Sequence, residues 1–142
     1  MRKLLANFLL PVLLALPGAA WADTAEFYHN KGVELLDRGQ LNQAVANFNK
    51  ALEKNPKSGK TYAIRGQIYL EQGLVDQAMS DSAVALKLDP RLAIAHNTLA
   101  IGYFRKGNFD QAWDHVRKGQ SLGYKFDDRF LRNLRNASGR QN

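Results

Sequence analysis

One six-residue phrase, stated three times, constrains this chain more than any other feature. It reads Gly39-Gln40-Leu41-Asn42-Gln43-Ala44, then Gly73-Leu74-Val75-Asp76-Gln77-Ala78, then Gly107-Asn108-Phe109-Asp110-Gln111-Ala112, each glycine 34 residues after the last. A fixed period of that size is the mark of a stacked-repeat architecture, in which each unit buries its apolar face only against its neighbours. The phrase itself has the chemistry of a helix hairpin. Glycine takes the left-handed conformation that ends a helix, Asn or Asp suits the positive end of the next, and Ala lets two helices close on each other.

The flanking residues support helices. Asp23 is expected to cap the first with Glu26 answering it, and Phe27, Tyr28, Gly32, Leu35 and Leu36 fall on one face up to about Arg38. The next helix begins near Asn42, carries Ala44, Val45, Phe48, Ala51 and Leu52, and stops at Asn55-Pro56, because proline disfavours helical geometry in the residue before it. The second unit starts at Ser58, turns Tyr62, Gly66, Tyr69 and Leu70 inward, and continues through Ala78, Met79, Ala85 and Leu86 to Asp89-Pro90. A third unit places Leu99, Ala100, Tyr103 and Phe104 before Gly107, then Ala112, Trp113 and Val116 after it. Small residues at 32, 66 and 100, and again at 44, 78 and 112, mark where helix axes must approach closely.

On these residues the chain resembles the tetratricopeptide repeat family. The family's 34-residue pattern asks for an aromatic, a Leu, a small residue and a Tyr, then Ala, Phe, Ala and a closing Pro. Residues 25–58 offer Tyr28, Lys31, Gly32, Leu35, Ala44, Phe48, Ala51 and Pro56. Residues 59–92 offer Tyr62, Arg65, Gly66, Tyr69, Ala78, Ser82, Ala85 and Pro90, and residues 93–126 offer His96, Leu99, Ala100, Tyr103, Ala112, Val116, Gly119 and Tyr124. The resemblance implies an all-α fold: a right-handed superhelical stack of three antiparallel helix pairs with a C-terminal capping helix, an α-solenoid.

Three departures carry further expectations. Lys31 and Arg65 replace Leu, so their aliphatic stems are expected to cover the core while the charges reach solvent. Tyr124 replaces the closing proline, so the third unit need not stop sharply. The chain then runs into an amphipathic segment with Phe126, Phe130, Leu131 and Leu134 on one face, read as a capping helix from Asp127 to Asn136 within residues 127–142, with a frayed end from Ser138.

Before the repeats, Arg2 and Lys3 precede an apolar run from Leu4 to Leu16, and Ala20-Trp21-Ala22 offers small residues for cleavage ahead of Asp23. Residues 1–22 therefore read as a cleavable signal peptide, and the product as an exported bacterial protein, periplasmic or secreted, with no transmembrane segment after cleavage. The run is short for a bilayer span and Pro17-Gly18 breaks it. With no cysteine in 142 residues, neither a disulfide nor a thiolate metal site can form. The net charge of +7 is unevenly placed. The repeats up to Val116 balance, and the surplus lies in Arg117, Lys118, Lys125, Arg129, Arg132, Arg135 and Arg140 against Asp127 and Asp128. Such a tail suits an acidic protein surface or anionic lipid before nucleic acid, which an exported protein is not expected to meet.

The residues do not assemble into a catalytic constellation. His29, His96 and His115 lack the spacing of metal ligands or of a nucleophilic triad; His96 takes an aromatic core position, and His115 adjoins Asp114 on a face expected to be solvated. The glycines follow helices rather than strands, which excludes a phosphate loop. No enzyme, metal or cofactor is expected. The resemblance instead implies a concave groove lined by the first helix of each pair: His29, Asn30 and Val33, then Lys60, Ile64, Gln67 and Glu71, then Asn97, Thr98, Ile101 and Arg105. Apolar Val33, Ile64 and Ile101 among amides and charges suit an extended peptide with one or two apolar anchors. Family members that clamp a C-terminal carboxylate use a Lys-Asn pair, an Asn and a Lys-Arg pair, where this chain has His29, Val33, Ile64, Ile94 and Thr98, so that clamp is absent. The expected function is a protein- or peptide-binding adaptor or scaffold in an envelope assembly, secretion or maturation complex. The alternatives are a self-assembling homo-oligomeric subunit and an accessory tethered to acidic surfaces by its basic tail.

Overall fold

A computed structural model describes residues 23–140, so the leader read in residues 1–22 lies outside the described residues. Within them the chain forms seven helices: α1 (Ala25–Asp37), α2 (Leu41–Lys54), α3 (Gly59–Glu71), α4 (Val75–Leu88), α5 (Ala93–Arg105), α6 (Phe109–Ser121) and α7 (Asp128–Ser138). The first six pack as three hairpins, α1 with α2, α3 with α4 and α5 with α6, and α7 closes the far end.

Each hairpin turns as the repeated phrase predicts. Gly39, Gly73 and Gly107 have φ of 71°, 78° and 76°, a region closed to most side chains. The amide of Gly39 donates to Leu36 O at 2.8 Å and that of Gln40 to Leu35 O at 2.9 Å, and the same pair of bonds recurs at Gly73 and Leu74 and at Gly107 and Asn108. These bonds satisfy carbonyls that the helix end would otherwise leave orphaned. The stop recurs a fourth time. Gly123 has φ 85°, and the Gly123 and Tyr124 amides donate to Gln120 O and Gly119 O, both at 2.9 Å. The third unit therefore ends sharply, contrary to the expectation from Tyr124, because glycine does there what proline does elsewhere.

Caps account for the other boundary differences. Thr24, not Asp23, caps α1, its hydroxyl accepting from the Phe27 amide at 3.0 Å. Asp23 instead pairs with Lys54 at 2.8 Å, tying the start of α1 to the end of α2. Asp127 caps α7 by accepting from the Phe130 amide at 2.9 Å. That helix continues through Ser138, whose hydroxyl accepts from Trp113 Nε1 at 3.1 Å, and Arg140 reaches Asp110 at 2.6 Å, so residues 138–140 are tied down rather than frayed.

The core follows the register of the repeats. Ala44, Ala78 and Ala112 are fully buried at the hairpin crossings. Gly66 lies so close to α4 that an added Cβ would sit 3.0 Å from Ala78 O. Phe48, Ser82 and Val116 occupy one position in successive units and are all fully buried. The first and third units fill that position with apolar volume, and the second does not. There Arg65 Nε and Nη2 donate to the Asp81 carboxylate at 2.7 and 2.8 Å, and Nη1 donates to Asn49 Oδ1 at 2.7 Å. The guanidinium also lies 5.4 and 5.7 Å from the rings of Tyr62 and Tyr69. With side-chain exposures of 16% for Arg65 and 10% for Asp81, this is an interior ion pair. The expectation that the Arg65 charge reaches solvent is thereby corrected: Asp81 supplies a partner inside, which a guanidinium accepts in bidentate geometry. Lys31 behaves differently, staying half-exposed beside Glu34 at 3.0 Å.

Candidate functional site: the face lined by the first helices

The first helices of successive units touch in series. His29 of α1 meets Thr61 of α3 at 2.8 Å, Arg105 of α5 donates to Leu70 O of α3 at 3.3 Å, and Phe104 of α5 meets Phe130 of α7 edge-on with centroids 5.6 Å apart. The 34-residue register returns equivalent positions to α1, α3 and α5, and α7 follows one residue out of step, starting 35 residues after α5.

At its N-terminal end, His29, Asn30 and Lys60 share a cleft of about 230 Å³ with Glu26, Asn55, Ser58 and Thr61. Thr61 Oγ1 lies 2.8 Å from His29 Nδ1 and 2.7 Å from Ser58 Oγ, so the imidazole is held in place by a chain of hydroxyls. Burial pushes the His29 pKa down, the Lys60 charge adds to the shift, and Glu26 opposes it. The ring is neutral at pH 7 and presents a dipole, not a charge, to anything in the cleft.

Further along, Val33 and Ile64 are half-buried against the cluster of Leu35, Ala44, Phe48 and Ile68. Gln67 is half-buried and Glu71 exposed on α3, while Asn97 and Ile101 are half-buried on α5. Two of the residues expected in the groove have structural engagements. Thr98 is fully buried and its hydroxyl donates to Ile94 O at 3.1 Å, so it faces the helix packing rather than the groove. Its hydroxyl satisfies itself on its own helix, which lets a polar side chain sit inside. Arg105 stays exposed, but its guanidinium serves the C-terminal end of α3.

The histidines of the third unit form a pair that the sequence reading did not anticipate. His96 Nδ1 and His115 Nδ1 are 2.9 Å apart, and His96 Nε2 lies 3.3 Å from Pro90 O. A carbonyl only accepts, so His96 carries its proton on Nε2 and accepts on Nδ1 from His115 Nδ1–H. His115 also stacks on Tyr103 at 5.5 Å. Burial, then His96 and Lys118, lower its pKa to about 4 against the pull of Asp114, and burial lowers that of His96. His115 is thus a half-buried packing residue, not a solvated one. The pair joins α5 to α6 beside Leu86, Pro90 and Leu122.

An all-α array of stacked hairpins, with one face built from the first helix of each pair, defines the class of the molecule: an α-solenoid. Two family models described as Tetratricopeptide repeat match residues 25–58 and 47–79, so the chain carries tetratricopeptide repeats over residues 25–79. Solved structures agree in fold. The first tetratricopeptide domain of Spaghetti (RPAP3), solved bound to the HSP90 peptide SRMEEVD, is 18% identical over 83% of this chain and 93% of its own, with a TM-score of 0.71. The Arabidopsis OM64 domain is 19% identical over 81% and 94%, with a TM-score of 0.72. The TPR2B domain of yeast Sti1, solved in complex with pHsp70, is 16% identical over 81% and 96%, with a TM-score of 0.68. At these identities the likeness is one of fold. No curated protein matched the chain. Arrays of this fold are in general interaction scaffolds rather than enzymes. Among the described residues no helix is long and apolar enough to cross a membrane.

Proposed function

We propose that this protein is a peptide-binding adaptor that holds an extended segment of a partner along the face formed by α1, α3 and α5. The observation that carries this reading is the composition of that face. His29, Asn30, Gln67 and Asn97 offer neutral hydrogen-bonding groups around Ile64 and Ile101, both half-exposed, and this mixture lets apolar anchors supply affinity while amides fix orientation. The structures of similar fold solved with HSP90 and Hsp70 peptides support a peptide as the ligand class. The absence of the carboxylate-clamp residues argues against those particular tails.

The leader read in residues 1–22 supports an envelope location, and with it a role in assembly, secretion or maturation there. The mature chain is expected to begin at Asp23, which mass measurement of the exported product tests. The binding face is tested by the pair Asn97→Ala and Ile101→Ser, judged by partner capture from an envelope extract with helicity as the control. Capture should fall at unchanged helicity. Undiminished capture by a folded variant would place the site elsewhere.

A further inference from the structure

The groove face does not end at α5. Counting from the cap residues Thr24, Ser58, Leu92 and Asp127, the second, fifth and ninth positions are Glu26, His29 and Val33 on α1, Lys60, Ala63 and Gln67 on α3, Ile94, Asn97 and Ile101 on α5, and Arg129, Arg132 and Asn136 on α7. The packing fits this alignment. Phe130 of α7 meets Phe104, and fully buried Leu134 joins Ala100, Ala112 and Val116, so the side of α7 turned to the third hairpin is apolar. Its arginines are exposed, and among the described residues neither Arg129 nor Arg132 makes an ion pair. Arg140 is engaged with Asp110, Arg117 with Asp114 and Arg105 with Leu70 O, while Arg135 of α7 is exposed without an ion pair among the described residues but stands outside the aligned positions.

We infer that Arg129 and Arg132, with Asn136 beside them, form an acceptor site for acidic side chains at the C-terminal end of the groove, and that the partner segment bears Glu or Asp where it crosses α7. This rests on the groove reading and adds the chemistry of one end of the ligand. Charge complementarity selects the partner: two guanidiniums without internal partners present bidentate donors matched to carboxylates. Position favours a protein segment over a membrane. The arginines continue the line of Asn97 and Ile101, which an extended chain can follow, and the apolar side of α7 is already buried, leaving nothing to insert into lipid. Asp128, on the same helix, lies one turn before Arg132 without pairing with it, so a ligand carboxylate meets the guanidinium unopposed by an internal bond.

The test uses the protein from Asp23 onward and two labelled synthetic peptides, one with Glu flanking two Leu anchors and its counterpart with Gln for Glu. The Glu peptide should bind at least about tenfold more tightly, the size of one charge-assisted bond, and should lose that advantage in Arg129→Gln/Arg132→Gln and in raised salt. Equal binding of the two peptides, or a Glu preference that survives in the folded double variant, overturns the inference. So does binding to phosphatidylglycerol vesicles that the double variant abolishes while the peptides are not distinguished. Ile101→Ser separates this from the groove reading. If it weakens both peptides while the arginine pair changes neither, the groove stands and the acidic-end site falls; if it leaves both bound, the groove itself is wrong.

Discussion

Removing the Asp81 carboxylate leaves the Arg65 guanidinium inside the second hairpin with Asn49 and two tyrosine rings as its remaining company. An uncompensated interior charge costs about 3–5 kcal/mol, so Asp81→Ala should lower stability by that amount in urea unfolding. Replacing both partners, as Arg65→Met/Asp81→Leu, should recover most of the loss, because the apolar pair has no charge to desolvate. The sequence marked Arg65 as an oddity at a Leu position but could not name its partner, which stands 16 residues away on the facing helix. The histidine pair escaped notice for the same reason: His115 beside Asp114 looks solvated until α5 is laid against it. Both histidines have folded pKa values below the ordinary 6.5, His115 at about 4. Their stabilising contribution is therefore complete above the unfolded value and is lost as the pH falls from 6.5 towards 4, as the unfolded chain takes up protons that the folded one refuses. With allowance for partial exposure, stability should drop by on the order of 1 kcal/mol between pH 7 and pH 5 more than in His115→Phe, measured by parallel urea titrations.

Among the elements, the hairpins were the most legible, since one phrase supplies the stop, the first turn and the close crossing at once. Gly73→Ala should cost about 1–2 kcal/mol, because φ of 78° is a left-handed conformation and the space around it is open, so strain and not a clash sets the loss. Thermal unfolding of that variant checks it. At the end of α6 the missing proline at Tyr124 is a misleading cue, because Gly123, beside it, carries the stop. The capping helix was correctly placed by its apolar stripe, and its extension to Ser138 depends on Trp113, a contact that sequence spacing does not reveal. Since Leu134 is fully buried against the third hairpin, Leu134→Ala should lower stability by about 2–5 kcal/mol, whereas Arg132→Ala, on the exposed side, should stay within about 0.5 kcal/mol. Equal losses from the two would mean that α7 does not pack as a cap.

Across the whole array, repetition sets the fold, and on the proposed reading the residues that differ between repeats would set what is bound. The register expects Asn30, Gln67, Asn97, Thr98 and Ile101 on one face; the first, second, third and fifth are at least partly exposed, whereas Thr98 is fully buried, which periodicity alone does not reveal. On the proposed reading this face, and not the outer face of the second helices, holds the partner. A photo-crosslinking amino acid placed at Gln67 or Asn97, and in parallel at exposed Glu53 of α2 or Lys87 of α4, distinguishes the two faces in the cells that make the protein. A discrete crosslinked partner is expected from Gln67 and Asn97 and none from Glu53 or Lys87; the same partner captured equally from all four positions, or from the outer pair alone, would mean that the partner sits elsewhere.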